Sequence, residues 1–181
     1  MSAPAGSGSG GKRSAARLAA AQALYEMEIT GVSADGVLAE FLARRWPLTE
    51  AGDAAASGDT NGAAKAEPLV APDLAFLGEL VRGVAARKTE LDKAIAGALS
   101  IEGTPLDRME AILRAILRAG AFELAARADV PTAAVINEYV EIAHAFFDGR
   151  EPALINGVLD RLARNLRGGN GHGAEKPAGA G

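Results

Sequence analysis

Side chains able to do chemistry are few in this chain of 181 residues. It has two histidines, His144 and His172, and no cysteine. Without thiolates, a transition-metal site would rest on imidazole and carboxylate alone. Glu141 and Asp148 stand three before and four after His144, so all three share one helical face. That pattern describes an ordinary solvated face, and His172 lies in a glycine-rich stretch. The run Gly6 to Gly11 precedes a helical pattern, but no strand leads into it and the lysine–hydroxyl pair of a phosphate loop is missing. Catalysis is not expected, nor is a metal or cofactor.

The cations carry more information. Residues 1 to 25 contain Lys12, Arg13 and Arg17 and no acid, whereas the whole chain has a net charge of -4. Arg13 and Arg17 are four apart, on one side of a helix that Lys12 enters, and Gln22 and Tyr25 follow on the same helix. Cations at a helix N-terminus oppose the macrodipole by about 0.3–1 kcal/mol each, a local conflict that points to binding. Arginine and lysine suit a phosphate backbone; the plain alternative is three solubilising charges. Three neutralised phosphates on a single strand give a salt slope of only about -2, so such an arm needs a partner. The acidic remainder suits a basic one.

Elements must position this arm, and the composition says which kind. Hydrophobic residues make up 49% and aromatics 4%, alanine dominates, and no β-branched alternation occurs; alanine has the highest helix propensity. The fold class is all-α. Such a length buries roughly 70% of its unfolded surface as one domain. No run of about 18 apolar residues offers a membrane span, and Met1 to Gly11 lacks the apolar core of a secretory signal; a cytoplasmic protein is expected.

Residues 1–11 and 168–181 read as disordered tails around a single helical domain, 12–167, interrupted by a flexible insertion at 47–72. Six or seven helices are predicted. The first runs from about Arg13 to Ile29, with Leu18, Ala21, Tyr25 and Ile29 on its apolar stripe and Gly31 closing it. The second spans about Ser33 to Arg45, with Ser33 as N-cap and Trp46-Pro47 as its stop. Residues 73 to 99 form one helix or two nearly collinear ones, with Leu74, Leu77, Val81, Val84, Leu91, Ile95 and Ala98 apolar. Thr104-Pro105-Leu106-Asp107 matches a capping box, whose helix continues through Met109 to Leu124. Pro131 starts a helix that carries Val135, Ile136, Tyr139, Ala143 and Phe146 as far as Gly149, and a last one spans about Glu151 to Leu166. Ile116, Leu117, Ala121 and Leu124 are core. Asn137 and Glu138 cap or cross-link helices, and Asn156-Gly157 permits close helix approach.

Four motifs in order carry a family resemblance. They are RSAARLAAAQALYEMEITG at 13–31, AILRAGAFEL at 115–124, Asp129-Val130-Pro131 with Ile136-Asn137-Glu138, and Asn156-Gly157-Val158-Leu159-Asp160. Together they resemble the NusB family of transcription antitermination factors over most of residues 13 to 167, the insertion excepted.

That resemblance implies two small three- or four-helix subdomains packed together and a non-enzymatic role. It implies binding of boxA-type single-stranded RNA in ribosomal RNA leader transcripts, jointly with NusE, a small-subunit ribosomal protein, within the RNA polymerase antitermination complex. Carried onto this chain, the RNA candidates are Lys12, Arg13, Arg17, Gln22 and Tyr25, the last as a stacking platform or a core residue. Where the family often has phenylalanine before Val-Asn-Gly this chain has Leu154, which cannot stack; Arg150 substitutes through charge. Charge complementarity alone selects Asp107 and Glu110, with Arg114 beside them, as the partner surface. The alternative is a helical protein-interaction domain without an RNA role, one form of which is a homodimer through its apolar stripes. Kinship with the similar N-terminal domain of ribosomal RNA cytosine methyltransferases is disfavoured, since no catalytic domain follows.

Overall fold

The computed structural model describes residues 7–45, 70–100 and 103–168. Most of the expected insertion, the Trp46-Pro47 stop and the outer parts of both tails therefore lie outside the described residues. Six α-helices are present among them: α1 (Ser7–Thr30), α2 (Ala34–Arg45), α3 (Leu74–Leu99), α4 (Ala111–Ala126), α5 (Thr132–His144) and α6 (Glu151–Gly168). No strand occurs among the described residues.

Helix α1 begins six residues before the expected Arg13. Alanine carries it, and Gly31 ends it in the left-handed region at φ 73°, its N–H donating to the Met27 carbonyl. The face it buries differs from the predicted stripe. Ala16, Ala19, Ala20, Ala21, Ala23 and Leu24 are buried, whereas Tyr25 and Ile29 are exposed. Small side chains let α1 lie close against α3 and α4, and the large ones are left outside that contact.

Ser33 caps α2, its Oγ accepting from the Gly36 N–H at 3.2 Å. Asp73 does the same for α3, its Oδ1 accepting from the Phe76 N–H at 3.0 Å. The one helix or two nearly collinear ones expected over 73–99 are α3, two helical stretches that meet at a kink at Arg87 (φ -112°, ψ 16°). At its start the stripe is shifted: Leu74 is exposed and Phe76 is buried.

The capping box at Thr104 does not form. Leu106–Arg108 makes one 3₁₀ turn, Met109 and Glu110 are extended, and α4 begins only at Ala111. The Arg114 guanidinium donates to the Asp107 and Met109 carbonyls, replacing bonds a continuous helix would have made internally. Helix α5 likewise stops at His144 rather than running to Gly149, so Phe146 leaves the expected stripe and is partly exposed.

Helix α4 is the centre, packing against α1, α3, α5 and α6. The two small subdomains expected do not separate here: α4 packs as fully against α1 and α3 as against α5 and α6, and one continuous core runs through all of them. Ile116, Leu117, Ala121 and Leu124 lie in it as predicted; each large one contributes about 1.5–3 kcal/mol by leaving water. Close approach is provided by Gly120 and Gly83, not by Asn156-Gly157. A Cβ on Gly120 would meet Leu159 at 2.9 Å, and one on Gly83 would meet the Phe122 ring at 2.1 Å, whereas at Gly157 the nearest atom is 3.6 Å away on Arg161.

Candidate nucleic-acid interface

The six RNA candidates do not form one patch. Lys12 is exposed and Arg13 half-buried, both in the second turn of α1. Because the helix starts at Ser7, they lie beyond the first turn where the macrodipole acts, so the predicted electrostatic conflict is largely relieved. Neither makes an ion pair among the described residues. Gln22 and Tyr25 lie further along the same helix, Tyr25 about 20 Å from Lys12 at 1.5 Å per residue. Arg150 is exposed on the connection between α5 and α6.

Arg17 corrects the expectation. It is 5% exposed and faces the core, where its Nε and Nη2 donate to both Glu123 carboxylate oxygens at 2.9 and 2.6 Å. Its Nη1 lies 3.3 Å from Glu138, and the Tyr139 hydroxyl donates to Glu123 at 2.9 Å. Burial works against the Arg17 charge, but the hydrogen bond and charge of Glu123 outweigh it, so the guanidinium is held more firmly protonated than usual. Burial and the same carboxylate push the Tyr139 phenol well above its ordinary value. Arg17 is a structural cross-link of α1 to α4 and α5, its buried guanidinium turned to their carboxylates and not to solvent. Glu138 thus cross-links helices as predicted, while Asn137 is exposed.

Residues that sequence reasoning passed over hold the arm. The Phe76 ring at the start of α3 has three guanidinium carbons near its face: Arg13 at 5.8 Å, Arg17 at 5.3 Å and Arg127 at 5.5 Å from the centroid. Arg127 pairs with Asp129 and Glu79, both at 2.9 Å. The only signal for this in the sequence was an aromatic one residue off the assigned stripe.

At its other end α1 borders a groove of about 940 Å³ shared with α2, the start of α4 and Phe146. Tyr25, Ile29, Phe41, Ile112 and Phe146 give it an apolar lining. Glu26, Glu40 and Glu110 surround them, with Arg44 paired to Glu40. With Glu40 paired to Arg44, Glu26 and Glu110 leave the groove net acidic, which disfavours a phosphate backbone beside Tyr25.

The expected partner residues divide in the same way. Asp107 and Glu110 are exposed, and Glu110 lines the groove beside Gln22 and Tyr25. Arg114 is instead half-buried and bonded to Glu28 and to two carbonyls, so it shapes the loop that carries Asp107 and Glu110. Arg118 joins Glu28 to Asp92 at 2.6 Å each, linking α1, α3 and α4. His144 is exposed at the end of α5, and no group able to hold a metal ion occurs among the described residues. None of the described helices is long and apolar enough to cross a membrane.

The comparisons agree with this architecture. A solved structure of T. maritima NusB superimposes with a TM-score of 0.63 over 91% of this chain and 93% of its own, at 23% identity, which establishes the fold. The transcription antitermination protein NusB of Caulobacter vibrioides is 47% identical over 155 residues, covering 86% of this chain and 94% of the relative. That of Rhizobium rhizogenes is 46% identical over 157 residues, covering 87% and 89%. The NusB family model matches residues 14–164, and with relatives this similar over this much of the chain, the chain belongs to the NusB family.

Proposed function

We propose that this NusB-family antitermination protein holds boxA-type single-stranded RNA of ribosomal RNA leader transcripts at the cationic end of α1, while NusE docks in the acidic groove at the other end. One observation carries the reading: a single helix bears Lys12 and Arg13, free of carboxylate partners among the described residues, and borders 20-odd ångströms away an apolar groove ringed by Glu26, Glu40 and Glu110. With Arg17 occupied by Glu123, only two cations of the arm face outward, and two neutralised phosphates give a salt slope of about -1.4. RNA binding by this chain alone is therefore weak. NusE adds contacts of its own, and the pair enters the RNA polymerase antitermination complex in the cytoplasm. Arg150 contributes charge from the α5–α6 connection.

Fluorescence anisotropy on a boxA-type RNA, with and without NusE, tests this. Weak binding alone, clear enhancement with NusE, and loss on Lys12→Glu plus Arg13→Glu with the helical spectrum intact are expected. Equal affinity for a scrambled RNA, with no effect of NusE, would replace this reading by the protein-interaction domain, which the exposed Tyr25, Ile29 and Phe146 also support.

A further inference from the structure

We infer that the start of α3 is the platform that presents the cationic arm, with Phe76 and Asp73 as positioning residues for an RNA phosphate held by Arg13. This rests on the RNA reading of α1 given above. Phe76 is 5% exposed and has Arg13, Arg17 and Arg127 within 5.3–5.8 Å of its centroid. Three like charges around one ring repel one another unless each is compensated. Two are: Arg17 by Glu123 and Glu138, and Arg127 by Asp129 and Glu79. Arg13 reaches no carboxylate at ion-pair distance among the described residues, although its charge also helps hold down Asp129, which Arg127 binds directly. Among the described residues Arg13 is thus the guanidinium on the ring without a carboxylate at ion-pair distance, and being half-buried it is within reach of an anion from solvent.

A second tie fixes the same arm. The Asp73 N–H donates to the Lys12 carbonyl at 3.0 Å, while the Asp73 side chain caps the Phe76 N–H at 3.0 Å. One residue therefore sets the first turn of α3, places the aromatic ring and pins the backbone between the two outward cations. A guanidinium resting on a ring has fewer rotamers to lose when a phosphate arrives, so the contact is pre-organised. Phe76 and Asp73 do not touch the RNA; they act through Arg13.

A double-mutant cycle on Arg13→Gln and Phe76→Leu decides it, using a fluorescein-labelled boxA-type RNA in the presence of NusE and a salt series. Arg13→Gln should weaken binding and reduce the salt slope by about 0.7. Phe76→Leu should weaken it by about two- to fivefold, Phe76→Tyr should retain it, and Phe76→Leu should add nothing once Arg13 is Gln. Should Phe76→Leu fail to fold, Asp73→Ala, which removes only the cap, carries the same cycle with the same expected pattern. A loss that is equal in both backgrounds, or unaltered binding by Phe76→Leu while Arg13→Gln weakens it, would overturn the positioning role and leave the RNA reading standing. Unaltered binding by Arg13→Gln itself would overturn both.

Discussion

The guanidinium of Arg17 and the carboxylate of Glu123 meet in the core across 106 residues of chain, Nη2 lying 2.6 Å from Oε1. The pair ties the arm-bearing helix to the central one, and Glu123 also accepts from Tyr139, so both carboxylate oxygens are occupied. Arg17→Met leaves Glu123 charged, buried and deprived of its cation, and should destabilise the fold by about 3–5 kcal/mol. Arg17→Met with Glu123→Leu should recover part of that, short by about 1 kcal/mol for the Tyr139 hydroxyl left without an acceptor. Urea unfolding of the two variants checks this; a fully stable Arg17→Met would return the residue to the surface.

Helices α3 and α4 cross where Gly83 faces Phe122. A methyl group at Gly83 would overlap the ring at 2.1 and 2.4 Å, and Phe122 is buried with little room to turn. Alanine gains about 1 kcal/mol of helix propensity over glycine, yet overpacking costs about 1–3 kcal/mol or more when a ring must move. Gly83→Ala should therefore lower the thermal midpoint, where propensity alone would raise it.

Stability should also depend on acid through Glu28. Burial alone would push its carboxyl up, but hydrogen bonds from Arg114 and Arg118 outweigh that and bring it below its ordinary 4.5. The unfolded chain then holds the proton more tightly, so this contribution is complete above about pH 4.5 and disappears as pH falls through the lower folded value. Glu28→Gln should be less stable than the parent near pH 7, with the difference shrinking by about pH 3, as urea midpoints at the two pH values would reveal.

Reversing charge at the groove should separate the two binding activities. Glu110, at the start of α4, lines the groove with Tyr25, which is about 18 Å along α1 from Arg13. Glu110→Lys should weaken NusE binding about five- to tenfold, measured by titration calorimetry, while RNA affinity without NusE stays at the parent value. A parallel fall in both would mean that the groove and the arm are one site.

Much of this molecule was legible from residues alone, for physical reasons that are easy to name. Alanine's propensity and the three-and-four spacing of apolar residues select helices, Gly31 and Ser33 mark real ends, and four ordered motifs pointed to the NusB family, to which the chain belongs. These are local properties, and the chain carries them wherever it folds. Which face of a helix turns inward is not local. On α1 the size of side chains pointed to Tyr25 and Ile29, but packing density favoured the alanines, because a close helix crossing excludes more water than two large groups at its margin. Arg13 and Arg17 have the same type and share a face, and only the arrival of Glu123 from α4 and Glu138 from α5 decided that one cation is a buried cross-link while the other remains outward. A charge finds its partner in three dimensions, through contacts more than a hundred residues apart, and no spacing along α1 encodes them.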